Sequence, residues 1–289
     1  MLTGGEGRLG TELRALLPQA AAPTEAEMDI TRPECIEAAL REYQPTVLVH
    51  AAAYTDVGGA ETNRARCWAI NVRGTANIVR ALRNCAAGLP DSPEGFAVTR
   101  PSRRDPIGPI PPISPIFLIY ISTDYVFDGA RGGYKEDDPP GPVCNYYSLT
   151  KLVGEELIRV HTPHLVIRTS FRPREWPYPV AFTDVFTSQD YVDVIAPEIA
   201  LAISRCREIG FDTIHVATER KSAFDLARRR KPDVQPGSKS QLKVRLPDDV
   251  SLDVSRWREV KARLQRMGTV PGAVCRGLSP FSSTNREDK

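Results

Sequence analysis

Three runs along the chain are continuously apolar and rich in β-branched residues: Thr46-Val47-Leu48-Val49-His50, Ile116-Phe117-Leu118-Ile119-Tyr120-Ile121 and Leu165-Val166-Ile167-Arg168. A strand wetted on one face alternates polar with apolar positions. Uninterrupted runs belong to strands covered on both faces, as in parallel sheets. The intervening segments carry a helical period instead. Leu9, Leu13, Leu16 and Leu17 recur along one face, and so do Ile36, Ala39, Leu40 and Tyr43. The second of these helices is expected to open at Thr31-Arg32-Pro33-Glu34, a capping-box pattern with proline in the first turn. Further helices are expected from about Ala60 to Arg83 and from about Tyr147 to Val160. Strand and helix alternate, which predicts the α/β class: a Rossmann-type doubly wound parallel sheet with a small C-terminal substrate-binding portion.

The pattern divides the chain into a dinucleotide-binding unit over 1–170, a small substrate-binding portion over 171–260 and a disordered tail over 261–289. It fails within the first unit, at about 88–115, where Pro90, Pro93, Pro101, Pro106, Pro109, Pro111, Pro112 and Pro115 deny both ladder donors and helix. That stretch is expected to be a disordered insertion ahead of a core strand. There is no internal repeat.

Composition narrows the function class. The net charge of +2 on 289 residues builds in no strong attraction to nucleic acid or anionic lipid. The run Arg228-Arg229-Arg230-Lys231 is expected to be a solvated helix end. Cys35, Cys67, Cys85, Cys144, Cys206 and Cys275 form no CxxC pair and no metal-ligand spacing with histidine. Reduced thiols, no structural metal, no membrane span and a cytoplasmic location are the expectations.

The candidate chemistry sits at helix starts and strand ends. Gly4-x-x-Gly7-x-x-Gly10 opens the first helix. Glycine lets the backbone turn tightly and approach a pyrophosphate, which the free N–H groups of the helix tip can receive. Only Met1-Leu2-Thr3 precede the run, so the first strand is expected to be clipped, as in a truncated gene product. Tyr147 and Lys151 fall one helical turn apart on one face. A nearby ammonium would draw the phenol's pKa toward working pH. Ser122-Thr123-Asp124 ends the strongest strand, where open α/β sheets bind ligands, and a hydroxyl there can hydrogen-bond a carbonyl about to become an alkoxide. Ala51-Ala52-Ala53 follows another strand and leaves room for a flat cofactor or for close helix packing. His50 reads as a packing residue at a strand end.

Taken in order, these motifs resemble one family. The glycine run, Met28-Asp29-Ile30-Thr31, Ala51-Ala52-Ala53-Tyr54-Thr55-Asp56-Val57, Ala69-Ile70-Asn71-Val72, Ser122-Thr123-Asp124-Tyr125-Val126-Phe127-Asp128-Gly129, Tyr147 to Lys151, Leu152-Val153-Gly154-Glu155 and Leu252-Asp253-Val254-Ser255 are similar to the dTDP-4-dehydrorhamnose reductases of the extended short-chain dehydrogenase/reductase class. The resemblance implies Gly4, Gly7, Arg8, Leu9 and Gly10 on the pyrophosphate of NADP or NAD, Asp29 and Ile30 beside the adenine, and Ala51, Ala52 and Ala53 along the cofactor. It implies Thr123, Tyr147 and Lys151 as catalytic residues, with Tyr147 and Lys151 also touching the cofactor. Thr123, Asp124, Tyr125 and Phe171 would face a nucleotide-sugar substrate whose C4 keto group is reduced, in dTDP-rhamnose biosynthesis. A homodimer is compatible with it.

The chain departs from the family pattern at Gly58-Gly59, where an acidic residue is usual, and at Phe171, where tryptophan is usual. Beyond it, Arg172-Pro173-Arg174-Glu175 leads quickly to Asp190, so the substrate-covering region is short. Glu25, near the presumed end of the second strand, leaves NAD and NADP both open. Two other functions stay open: a non-catalytic dinucleotide- or sugar-nucleotide-binding subunit, like the regulatory β-subunit of methionine adenosyltransferase, and a sugar-nucleotide dehydratase or epimerase.

Overall fold

A computed structural model describes residues 1–87, 115–241 and 246–268. The elements run β1 (Leu2–Thr3), α1 (Arg8–Leu16), α2 (Pro33–Tyr43), β2 (Val47–His50), α3 (Val57–Thr62), α4 (Arg64–Trp68), a π-helical turn (Ala69–Gly74), α5 (Thr75–Ala87) and β3 (Phe117–Thr123). There follow α6 (Tyr146–Arg159), β4 (His164–Thr169), β5 (Phe171–Arg172), β6 (Val180–Phe182), β7 (Phe186–Thr187), β8 (Asp190–Tyr191), α7 (Val192–Ser204), β9 (Thr213–His215), β10 (Lys221–Ser222), α8 (Ala223–Arg228), β11 (Gln235–Gly237) and α9 (Ser255–Gly268).

The five-stranded sheet has the order β1-β2-β3-β4-β9 and every pairing is parallel. Successive side chains of a strand point to opposite faces, so each apolar run feeds two cores. Val49, Ile119, Ile121, Leu165, Ile167 and Ile214 pack against α1, α7 and α9. Leu48, Leu118, Tyr120 and Val166 pack against α2, α5 and α6. The strands are therefore covered on both sides, as their uninterrupted apolarity predicts.

β1 is as short as expected, yet it holds its place. Leu2 pairs with Val49 and Thr3 with His50, while the Leu2 N–H donates to the Ala21 carbonyl on the other side at 2.8 Å. The presumed second strand is not formed; Ala20–Ala22 runs alongside β1 without ladder pairing beyond that bond.

Several expectations need correction. The helix expected over Ala60–Arg83 is broken into α3, α4, the π-turn and α5. The capping box at Thr31 does not form: Arg32 is the N-cap with no side-chain bond, and the Thr31 hydroxyl donates to Asp29 instead. The C-terminal portion is not one unit over 171–260. α7, β9 and α9 complete the main sheet and its first core, contributing Ile195, Ile199, Ile214, Trp257 and Leu264. What remains is a small lobe of two-stranded pairings, β5 with β8, β6 with β11 and β7 with β10, packed around Trp176, Tyr191 and Leu226. The tail cannot start at 261, because α9 continues to Gly268 with Leu264 buried. Arg229 and Arg230, expected in solvent at the end of α8, instead bind Asp190 and Glu219, and Asp193, respectively. The proline-rich stretch before Pro115, the segment after 268 and Cys275 lie outside the described residues.

Candidate active site

A cleft of about 880 Å³ opens at the carboxyl ends of β1 to β4. Gly4, Gly7, Arg8, Leu9, Gly10, Asp29, Ile30, Ala51, Ala52, Ala53, Thr123, Asp124, Tyr125, Tyr147, Lys151 and Phe171 all line it.

The floor is set by glycines. Gly4 has φ of +70°, and a Cβ there would meet Ala52 Cα at 2.7 Å. A Cβ on Gly10 would come within 2.1 Å of the Gly4 carbonyl oxygen. Loop, helix and the β2 end are thus in backbone contact. Gly7 is the N-cap of α1 and supplies no side-chain acceptor, so the helix tip faces the cleft with N–H groups available. This cradle fits the pyrophosphate of a dinucleotide. Gly10→Ala should force the loop off the helix, costing on the order of 1–3 kcal/mol and abolishing dinucleotide binding. Chemical denaturation together with NADH fluorescence titration reads both effects, and retained NADH affinity would refute the cradle.

The alanine wall is held by Asn71, a residue of the π-turn. Its Oδ1 accepts from the Tyr54 N–H at 2.7 Å, and its Nδ2 donates to the Tyr54 carbonyl and to Thr150 Oγ1 at 3.1 and 2.9 Å. Asn71 therefore ties the wall to α6, next to Lys151. π-turns recur at functional sites because they re-aim one side chain. His50 is buried beneath the wall. It bonds Thr3 Oγ1 and Thr75 Oγ1, each at 3.0 Å. Thr75 already donates to the Asn71 carbonyl, so its oxygen accepts from His50 Nε2–H. Burial and the nearby Lys151 hold His50 neutral, with a pKa lowered to about 3. It is a packing residue, as expected.

The reactive end is built by β3 and α6. Asn145 caps α6 by accepting the Ser148 N–H, and Glu61 Oε1 accepts the Tyr146 N–H. Lys151 is buried: its Nζ donates to the Ile121 carbonyl at 2.8 Å and lies 4.0 Å from the Tyr120 ring centre. Burial lowers its pKa to about 7, against the pull of Glu155. Tyr147 is half-buried. Burial pushes its phenol well above 10, and a hydrogen bond with the Thr123 hydroxyl opposes the shift. The ammonium thus serves the strand end, and burial rather than Lys151 dominates the phenol. Thr123 donates to Asp124 Oδ1 at 3.0 Å, and burial raises the Asp124 carboxyl to about 7.

The cleft also takes in Thr24 and Glu25, at the position weighed for cofactor choice, and Arg66, Thr169, Ser170, Arg172 and Gln189, which sequence reasoning did not assign to the site. Gln189 reaches it through the β5–β8 pairing, a contact with no local signature. Arg172 directly follows Phe171, and that adjacency was the available signal. No group of His, Cys, Asp and Glu among the described residues could hold a metal ion, and no helix among them is long and apolar enough to cross a membrane.

The arrangement has known counterparts. A dTDP-4-dehydrorhamnose reductase of Aggregatibacter actinomycetemcomitans is 28% identical over 209 residues, which are 69% of this chain and 60% of that protein. The chain spans about half the length of other curated relatives it matches. The crystal structure of a hypothetical dTDP-4-dehydrorhamnose reductase from Sulfolobus tokodaii superposes with a TM-score of 0.70 at 29% identity, covering 89% of this chain and 93% of that one. That of a dTDP-4-dehydrorhamnose reductase from Bacillus anthracis in complex with NADP gives 0.70 at 24% identity, over 92% and 98%, and shares the fold. The RmlD substrate binding domain profile matches residues 1–89 and 114–179, more than half of the sequence, so the chain belongs to that family.

Proposed function

We propose that this protein is a reductase that uses NADH or NADPH to reduce the C4 keto group of a nucleotide-linked 4-keto-6-deoxy sugar. The observation that carries the reading is the convergence of a glycine cradle, a buried lysine and a proton-bearing phenol beside a strand-end hydroxyl on one cleft. Bound nicotinamide would supply the hydride. The chain's own groups would do the rest. The tip of α1 binds the pyrophosphate. Ala51 to Ala53 let the cofactor lie against backbone that Asn71 fixes. Thr123 would orient the keto oxygen by turning its O–H from Asp124 Oδ1 to the substrate, and Tyr147, kept protonated by burial, would deliver the proton to that oxygen. Lys151, which lines the same cleft, would hold ribose hydroxyls of the cofactor. Relatives named dTDP-4-dehydrorhamnose reductase support dTDP-linked sugars as the substrate class.

The test is consumption of NADH or NADPH in the presence of dTDP-4-dehydro-6-deoxy sugar, with the 4-hydroxy product identified by NMR. Cofactor binding without turnover would select a non-catalytic binding subunit. A dehydratase reading has one observation in its favour, the proton-holding Asp124 beside Thr123. Release of water from dTDP-glucose would establish it.

Cofactor choice rests on the adenosine end. Glu25 and Glu6 both line the cleft there, and the Glu25 N–H donates to Glu6 Oε2 at 3.2 Å. Two carboxylates disfavour a 2′-phosphate. Glu25→Gln is expected to raise NADPH affinity relative to NADH roughly three- to tenfold, read from competitive titrations. An unchanged ratio would place the 2′ position elsewhere.

A further inference from the structure

Arg172 stands apart among the arginines around it. Arg168 is paired with Glu155, Arg174 with Glu12, Arg229 with Asp190 and Glu219, and Arg230 with Asp193. Arg172 makes no hydrogen bond or ion pair among the described residues, although its Nε is buried. Its position is nonetheless fixed. β5 pairs in parallel with β8, setting Arg172 opposite Tyr191, and the guanidinium lies over the Trp176 ring, 5.2 Å from its centre.

The fixed cation faces the reactive end of the cleft. Arg172 lines it together with Thr169, Asp124 and Tyr125, and its charge is felt by the latter two. Thr169 Oγ1, on the same wall, is also buried without a partner. Asp124 does not neutralise the guanidinium. Its oxygens accept from Thr123 and Thr187 instead. A buried donor without a partner, Nε, on a half-buried guanidinium held against Trp176 is a cost that a bound acceptor would remove. Arginine's planar fork suits phosphate and carboxylate oxygens.

The geometry points to Arg172 as the specificity-determining group that binds an oxyanion of the substrate in the cleft that Thr123 and Tyr147 also line. This rests on the reading that the cleft holds a nucleotide-linked sugar. The oxyanion has two sources on such a molecule, the diphosphate linker or a carboxylate carried by the sugar itself.

Equilibrium binding to the NADH-loaded protein separates them, using wild type, Arg172→Met and Arg172→Lys. The probes are thymidine, dTDP, dTDP-glucose and dTDP-glucuronate. Arg172→Met is expected to weaken binding roughly 10- to 100-fold, with partial recovery in Arg172→Lys and unchanged NADH affinity. Weakened dTDP with unchanged thymidine assigns the diphosphate. Weakened dTDP-glucuronate with unchanged dTDP and dTDP-glucose assigns a carboxylate. Equal affinities of wild type and Arg172→Met for all four probes overturn the inference, even if the wild type reduces a 4-keto sugar. An Arg172-dependent affinity without any hydride transfer upholds it and overturns the reductase reading. A wild type that binds no probe overturns both.

Discussion

Tyr147→Phe is expected to lower kcat by roughly 10²- to 10⁴-fold, the range over which a positioned proton donor acts, while leaving the NADH dissociation constant nearly unchanged. The substitution removes one oxygen and keeps the ring, so the packing of Tyr147 against Tyr125, with ring centres 6.4 Å apart, survives. What is lost is the proton that burial keeps on the phenol. In the reductive direction this state is the useful one. A group pushed above its ordinary pKa of about 10 arrives protonated across the neutral range and gives its proton only when a stronger base, the nascent alkoxide, forms beside it. Stopped-flow measurement of NADH oxidation, with NADH fluorescence titration in parallel, separates the two quantities. A variant with the wild-type rate would remove Tyr147 from the chemistry. A variant that lost NADH affinity to the same degree as rate would make it a binding residue.

The parts of this molecule legible in its sequence are those whose cause is local. β2, β3 and β4 lie within two residues of their apolar runs because burial on both faces leaves no polar interruption. Gly4 and Gly10 announce a close backbone approach that no other residue permits. Tyr147 and Lys151 announce a shared helix face. The rest depends on contacts distant in sequence. The π-turn at Ala69–Gly74 adds one residue to a turn, too little to disturb a helical period. Its local logic is the reach of Asn71 to both Tyr54 and Thr150. α7 is apolar enough to belong to any core, and only its packing beside α1 reveals that it completes the main layer. The expected influence of Lys151 on Tyr147 assumed that residues sharing a face also face each other. The ammonium instead turns to the Ile121 carbonyl, an acceptor supplied by another element.

That carbonyl belongs to a strand whose position depends on a buried ion pair, and breaking the pair is the second large effect expected. In the parallel register Ser122 lies opposite Arg168 and Thr123 opposite Thr169. Arg168 grips both carboxylate oxygens of Glu155, Nε reaching Oε1 at 3.0 Å and Oε2 at 3.3 Å and Nη2 reaching Oε2 at 2.9 Å, and its Nη1 donates to the Glu136 carbonyl. Ser122 Oγ donates to the same Glu155 at 2.5 Å. The two charged side chains are 1% and 0% exposed. Removing one partner of such a pair strands the other charge out of water. Arg168→Met is therefore expected to cost about 3–5 kcal/mol, a large share of the 5–15 kcal/mol that typically holds a protein folded. The pair as a whole need not be stabilising, since apolar replacements of both partners are often neutral. Arg168→Met combined with Glu155→Leu should accordingly recover much of the loss, a coupling that urea denaturation of both single variants and the double variant measures. Strict additivity would mean that the two side chains do not depend on each other. Strong coupling would tie the β3–β4 seam, and with it the Thr123 hydroxyl and the carbonyl that holds Lys151, to one desolvated contact behind the cleft.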